Sequence, residues 1–260
     1  MTGLISAFRT LTVIRVPGKE AASFVSALPW FPVVGAVFGA LLVGVAVLVH
    51  LLFPGWIYLC SFLVLGTQIV ISGAMHLDGL ADAADALFSM KDRQRKLEIM
   101  KDSRLGTYGV LTLVCAFAAK WFLIAKLIEA DAIRLIVVAM IVSRTVQVEL
   151  AVTMAYARAG DGTAKAFVTG ATRWHRGAAW LSAFLLIAGF GPMALIAIPI
   201  AFVAARLLAR WFKTEIGGIT GDLLGASSEL TELIILFFLG AWLHHLPWID
   251  WPWDTVWRHL

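Results

Sequence analysis

Apolar residues fall in long blocks separated by short polar stretches. A block of about twenty is too long for a core strand and long enough to cross a bilayer as a helix. The first such block runs from about Val33 to Phe53, with Gly35, Gly39 and Gly44 offering close helix contacts. Pro54-Gly55 turns the chain into a second block, about Trp56 to Met75. Blocks three and four, Tyr108–Ile128 and Ile133–Thr153, are joined by Glu129-Ala130-Asp131. A short fifth spans Gly177 to Phe190, Gly191-Pro192 leads into a sixth ending near Arg206, and a seventh runs from about Leu230 to Leu246. Ahead of them, Leu4, Ile5, Phe8 and Leu11 recur at helical spacing with Arg9 off that face, ended by Pro17-Gly18. That run is too short to span and predicts an interfacial helix. The tail holds Trp248, Trp251, Trp253 and Trp257, an aromatic anchor for the outer interface.

The pattern predicts an all-α fold, a polytopic membrane helical bundle of about seven transmembrane helices plus the N-terminal interfacial helix. It reads as a single integral-membrane domain over residues 1–260. Residues 1–32 form the N-terminal segment, 33–246 the bundle and 247–260 the Trp-rich tail. Composition agrees: 60% of residues are hydrophobic and 15% charged, whereas soluble domains run near 45–50% and about 25%. The net charge of +4 does not signal nucleic acid, because the basic residues are confined to particular loops. The N-terminal segment and the loops after blocks two, four and six hold 16 of the 21 Lys and Arg. That asymmetry places those loops in the cytoplasm, hence a multi-pass protein of the cytoplasmic (inner) membrane. Cys60 and Cys115 lie inside apolar runs, so no disulfide framework is indicated. The first residues lack a signal-peptide cleavage pattern and stay in the mature chain.

One polar stretch stands out, His76-Leu77-Asp78-Gly79-Leu80-Ala81-Asp82-Ala83-Ala84-Asp85. On a helix, Asp82 lies roughly 40° and Asp85 roughly 20° around the axis from Asp78. Three like charges on one stripe repel one another. A hard divalent cation removes that repulsion, and Mg²⁺ commonly takes one or two carboxylates while keeping waters for a phosphate. A solvated helix end is the plainer alternative. His76 can ligate metal, hydrogen-bond a substrate or serve structure.

Two further motifs fall on the same side of the predicted topology. In Lys101-Asp102-Ser103-Arg104-Leu105-Gly106, Asp102 or Ser103 can cap the next span, leaving a positive dipole end beside Arg104 for a phosphate. Gly217-Gly218-Ile219-Thr220-Gly221-Asp222 offers backbone N–H groups as an anion nest. On a helix starting near Asp222, Glu229 shares its stripe and Glu232 lies at the edge. A plain turn is the competing reading of that loop. Within the spans, Lys120, Lys126, Arg144 and Glu149 need partners, since each charge at the bilayer centre costs roughly 2.5–3.5 kcal/mol.

These blocks, with Thr12-Val13-Ile14-Arg15-Val16-Pro17 and Phe31-Pro32-Val33-Val34-Gly35, resemble the cobalamin synthase (adenosylcobinamide-GDP ribazoletransferase) family over about residues 5–240. The resemblance implies a Mg²⁺-dependent membrane enzyme. It would join adenosylcobinamide-GDP to α-ribazole, or its 5′-phosphate, and release GMP. In that chemistry Asp78, Asp82, Asp85, Asp222 and Glu229 are the candidate metal ligands. Asp85, Asp82 and Arg104 are the candidate catalytic groups. His76, Asp102, Ser103, Gly217, Gly218, Thr220 and Gly221 are the candidate substrate contacts. The implied partners are those small molecules and the lipid bilayer, with no nucleic acid; a homo-oligomer is left open. Two other readings stand beside it. A CDP-alcohol phosphotransferase needs an Ala-Arg pair after Asp-Gly, which Ala83-Ala84-Asp85 does not supply. A cation transporter would carry acidic residues deep in its spans.

Overall fold

The computed structural model describes residues 2–242 apart from Asp161 and Thr163. The end of the predicted seventh span and the Trp-rich tail lie outside the described residues. Among the described residues the regular elements are helical, with one isolated bridge between Tyr156 and Ile219. In chain order they are α1 (Thr2–Leu11), a 3₁₀ turn (Phe24–Trp30), α2 (Phe31–Leu52), α3 (Ile57–Ser72), α4 (Met75–Leu87) and α5 (Arg93–Ile99). There follow α6 (Thr107–Glu129), α7 (Leu135–Thr153), α8 (Lys165–Thr169), α9 (Arg173–Ala188), α10 (Pro192–Leu195), α11 (Ala197–Ile216) and α12 (Gly221–Trp242).

Each of the seven predicted spans corresponds to at least one helix among the described residues. Five stretches are long and apolar enough to cross a membrane by themselves: Phe24–Leu52, α6, α7, Pro192–Ile216 and Gly221–Ala241. The bent pair of α3 and α4 makes a sixth if counted as one span. The short fifth block corresponds to α9, whose 16 residues reach only about 24 Å at 1.5 Å per residue.

Two boundaries differ from the hydropathy pattern, and both matter for the site. The second block does not run straight into the acidic stripe. Gly73 (φ 61°) ends α3 with a left-handed cap, Ala74 (φ 57°) follows in the same region, and α4 leaves at 87° to α3. Alanine adopts that conformation only where its surroundings enforce it. Here the Val13 N–H donates to Ile71 O at 2.8 Å, and the Val13 side chain packs over Gly73. The second difference is at the other end. α11 continues ten residues past Arg206, to Ile216, and α12 already starts at Gly221. Asp222, Glu229 and Glu232 therefore share one helix.

At the centre stands α7, buried along almost its whole length and packed by α2, α9, α11 and α12. Such burial leaves no room for side chains at the tightest crossing. A Cβ on Gly35 would lie 2.5 Å from Met140 O, and one on Gly39 would lie 2.6 Å from Val137 Cα. Gly44, predicted to serve likewise, faces open space. Gly35→Ala should therefore destabilise the protein by about 1–3 kcal/mol through overpacking. Thermal unfolding in detergent would show it as a lowered midpoint, with Gly44→Ala unchanged or slightly stabilised.

Candidate active site

Helix α4 reaches the site through its glycine. Gly79 packs on the backbone of Asp222, where a Cβ would come within 2.7 Å of Asp222 O, and Gly225 of α12 packs on the His76 backbone. The absence of side chains at both positions lets α4 and α12 approach closely. Asp222 thereby joins the stripe of Asp78, Asp82 and Asp85, some 140 positions earlier in the chain. Asp82, half-buried, sits in the field of Asp78, Asp222 and Asp85, opposed by the single cation Arg158. Arg158 forms an ion pair with Asp222 at 2.6 Å. Among the described residues no hydrogen bond reaches the carboxylates of Asp78 or Asp82.

Asp85 is engaged differently. Its two oxygens accept the N–H groups of Gly106 and Gly109 at 2.7 and 2.8 Å, so it caps α6 from 21 residues upstream. A carboxylate at that end also meets the positive pole of the helix. The expectation that Asp102 or Ser103 would cap α6 is corrected: α6 begins at Thr107, too far along for either. Asp102 instead takes the Arg104 side chain in a fork at 2.6–3.1 Å and its N–H at 3.1 Å. Those bonds hold the exposed Asp102 carboxyl down at about 2. Arg104 itself is 85% exposed at the side chain and stands outside the acidic cluster's contacts. Ser103 is exposed with no hydrogen bond among the described residues.

The glycine-rich connection is built chiefly for chain packing. Gly217 (φ 77°) closes α11, its N–H donating to Phe212 O and Lys213 O. Ile219 pairs with the segment after α7, its N–H donating to Ala155 O and its carbonyl accepting from Ala157 N, both at 2.9 Å. Gly218 lies so near the Ala155 carbonyl that no Cβ fits. Thr220 is buried and caps α12 by accepting the Leu223 N–H at 3.2 Å, just ahead of Gly221. Two N–H groups predicted for an anion are thus already donating to carbonyls, and the loop's effect is to fix Asp222.

Glu229 does not join the cluster. It is buried two turns further along α12 with Glu232, and Lys120 of α6 bridges both at 2.7 and 2.9 Å. Gln68 of α3 donates to both oxygens of Glu232 at 2.7 and 2.9 Å. Arg144 of α7, fully buried, donates to the hydroxyls of Ser143 and Ser228. His76 turns toward this interior. It is buried, neither ring nitrogen has a hydrogen-bond partner, and Arg144 and Lys120 are the charges that act on it. Among the described residues, no three carboxylate, imidazole or thiol groups stand close enough to ligate one ion between them.

The profile of the family described as cobalamin-5-phosphate synthase matches residues 3–240. The chain belongs to that family. It is 43% identical over 245 residues to the adenosylcobinamide-GDP ribazoletransferase of Chlorobium phaeovibrioides, covering 93% of this chain and 98% of the relative. The proteins of the same name from Chlorobium phaeobacteroides and Prosthecochloris aestuarii are 43% and 39% identical. Each of those two matches covers 90% of this chain and 96% of the relative. No solved structure matches.

For a cobalamin-5-phosphate synthase, the two sets of charges can do different things. Lys120 and Arg144 against Glu229 and Glu232 sum to zero inside the bundle, as a buried group in low dielectric requires. The α4–α12 cluster sums to minus three even with Arg158, and it is partly open to solvent. Arg158 is the residue that the sequence reading missed. It is one of four basic residues in its loop, and only folding shows which of them meets Asp222. Lys120→Met should leave two buried carboxylates unpaired and cost about 3–5 kcal/mol. Thermal unfolding in detergent would register the loss, and pairing it with Glu229→Gln alone, which leaves Glu232 opposite Arg144 and brings the buried charge back to zero, should restore most of it.

Proposed function

We propose that this chain is a Mg²⁺-dependent transferase of the inner membrane. It joins adenosylcobinamide-GDP to α-ribazole or its 5′-phosphate, giving adenosylcobalamin or its phosphate and GMP. The single observation that carries the reading is the meeting of Asp222 with Asp78 and Asp82 where α4 crosses α12. The chain works as one integral-membrane domain with its site at the cytoplasmic face, where the arginine- and lysine-rich loops lie. The relatives' shared name supplies the donor substrate, and the acidic cluster supplies a reason for the metal.

The donor set fits Mg²⁺. Every group is a carboxylate, and no three converge tightly, which suits an ion that keeps waters and substrate phosphates in its shell. Asp78 and Asp222 would hold it together with waters and the substrate's phosphates, and when bound it would supply charge neutralisation on the diphosphate. The remaining work falls to the chain. Phosphoryl transfer asks mainly for positioning and electrostatic stabilisation. A free ribose-ring hydroxyl of the ribazole, whose 5′ position can carry the phosphate, bonds through its oxygen to the phosphorus attached to cobinamide, while the bond from that phosphorus to the oxygen bridging to GMP breaks. GMP leaves with the bridging oxygen. The hydroxyl proton passes to a carboxylate. Asp82 suits that role better than Asp85, because both oxygens of Asp85 are already taken by the N–H groups of Gly106 and Gly109. Arg158 holds Asp222 in place and has further N–H groups for phosphate oxygens. Arg104, with its side chain in solvent, would reach the donor only by leaving Asp102.

Asp82→Asn should lower turnover by about 10²–10⁴, the range of a lost general base, with the thermal midpoint held or raised. Mass spectrometry of corrinoid product and GMP from protein purified in detergent would measure it. Chelation of Mg²⁺ should stop wild-type turnover and re-addition restore it. Full activity of both the variant and the chelated enzyme would reduce the stripe to a polar helix end. Reporter fusions after Ala86, Gly160 and Lys213 should report cytoplasm, and a periplasmic signal from any of them would move the site to the other face.

A further inference from the structure

Helices α9 and α11 both pack on α7, and they meet each other chiefly where the Trp180 and Phe202 rings touch at 6.1 Å between centroids. The cleft between them is floored by Glu149 of α7, which is buried. Trp180 Nε1 donates to Glu149 at 2.8 Å. Arg176 of α9 and Arg206 of α11 approach the same carboxylate from either wall, at 3.5 and 3.4 Å. Both are half-exposed, 38% and 44%, and Arg206 also stacks over Phe202 at 4.8 Å. Two guanidiniums on one carboxylate leave an unbalanced positive charge on two side chains that solvent reaches.

More charge of the same sign continues along both walls. Arg206, Arg210 and Lys213 follow at spacings of four and three, one stripe of α11, and Arg210 and Lys213 are exposed. Arg173 sits one turn before Arg176, beside Trp174, which is 75% exposed. Glu149 lies four residues from the end of α7 and Arg176 three from the start of α9, so the pair sits roughly 6 Å or less below those helix ends. That is headgroup depth, where exposed tryptophan and arginine are favoured.

We infer that the cleft between α9 and α11 binds an anionic phospholipid, its phosphate held by Arg176 and Arg206 with Arg210 and Lys213 attracting it. Charge complementarity selects the occupant. Basic pockets between spans on the cytoplasmic side take acidic headgroups, with about 1 kcal/mol from each basic residue near the surface. Glu149 keeps the two guanidiniums apart and oriented, and its burial makes it their fixed anchor. The site stands apart from the α4–α12 carboxylates and serves the enzyme's seating in the membrane.

Native mass spectrometry on the full chain, extracted into a neutral detergent with equal phosphatidylglycerol and phosphatidylcholine, tests this. The wild type should retain phosphatidylglycerol in preference. Arg210→Gln with Lys213→Gln, which leave Glu149's partners intact, should reduce that preference by about tenfold or more. Arg176→Gln, Arg206→Gln and Glu149→Gln together should abolish it without leaving a buried charge unpaired. Lys19→Gln with Lys91→Gln, the same charge removed elsewhere, should leave it unchanged. Equal retention of the two lipids by the wild type would overturn the proposal. So would an undiminished preference in both cleft variants, or an equal loss in the control.

Discussion

The contact of Gly79 with the Asp222 backbone is the constraint from which the arrangement of the site follows. Helix α4 can lie against α12 only because neither Gly79 nor Gly225 carries a side chain. It can reach α12 only because the chain turns sharply at Gly73 and Ala74. The N-terminal residue Val13 holds that turn from outside, through one backbone hydrogen bond and a methyl contact. The N-terminal segment is thereby tied to the acidic stripe that follows the second block. A longer, straight second span would place the aspartates away from Asp222.

Charge is handled in two opposite ways within one bundle. In the buried interior the fold supplies complements: Lys120 lies between Glu229 and Glu232, and Gln68 donates to both oxygens of Glu232. Desolvation leaves no alternative there. At the α4–α12 junction four carboxylates share one arginine, and water access makes the imbalance tolerable. The same helix, α12, carries both arrangements seven residues apart. Its start faces outward over α4, while its middle is enclosed by α3, α6 and α7.

Helix capping explains why Asp85 differs from its two neighbours on the stripe. Spacings of four and three put the three aspartates on one helix face, but the start of α6 comes to rest on Asp85 alone. A carboxylate so engaged is a structural pivot between α4 and α6. Gly109 permits the approach, since a Cβ there would come within 2.5 Å of an Asp85 oxygen.

The helical class, the positions of the apolar blocks and the three aspartates on one face are legible in the sequence. All follow from local periodicity and from the cost of exposing backbone to lipid. The sequence also located the close contacts of Gly35 and Gly39, and its motif blocks indicated the family. Only the tertiary structure decided which charges meet. Arg158 on Asp222, Asp85 on α6, and Lys120 between two glutamates join residues 21 to 112 positions apart. Periodicity holds no information about such pairs, because it repeats within one helix and they lie between helices. The same limit explains Glu229, which shares a stripe with Asp222 yet is withdrawn into the core. A helix face fixes direction around the axis, whereas depth along it depends on what packs beside each turn.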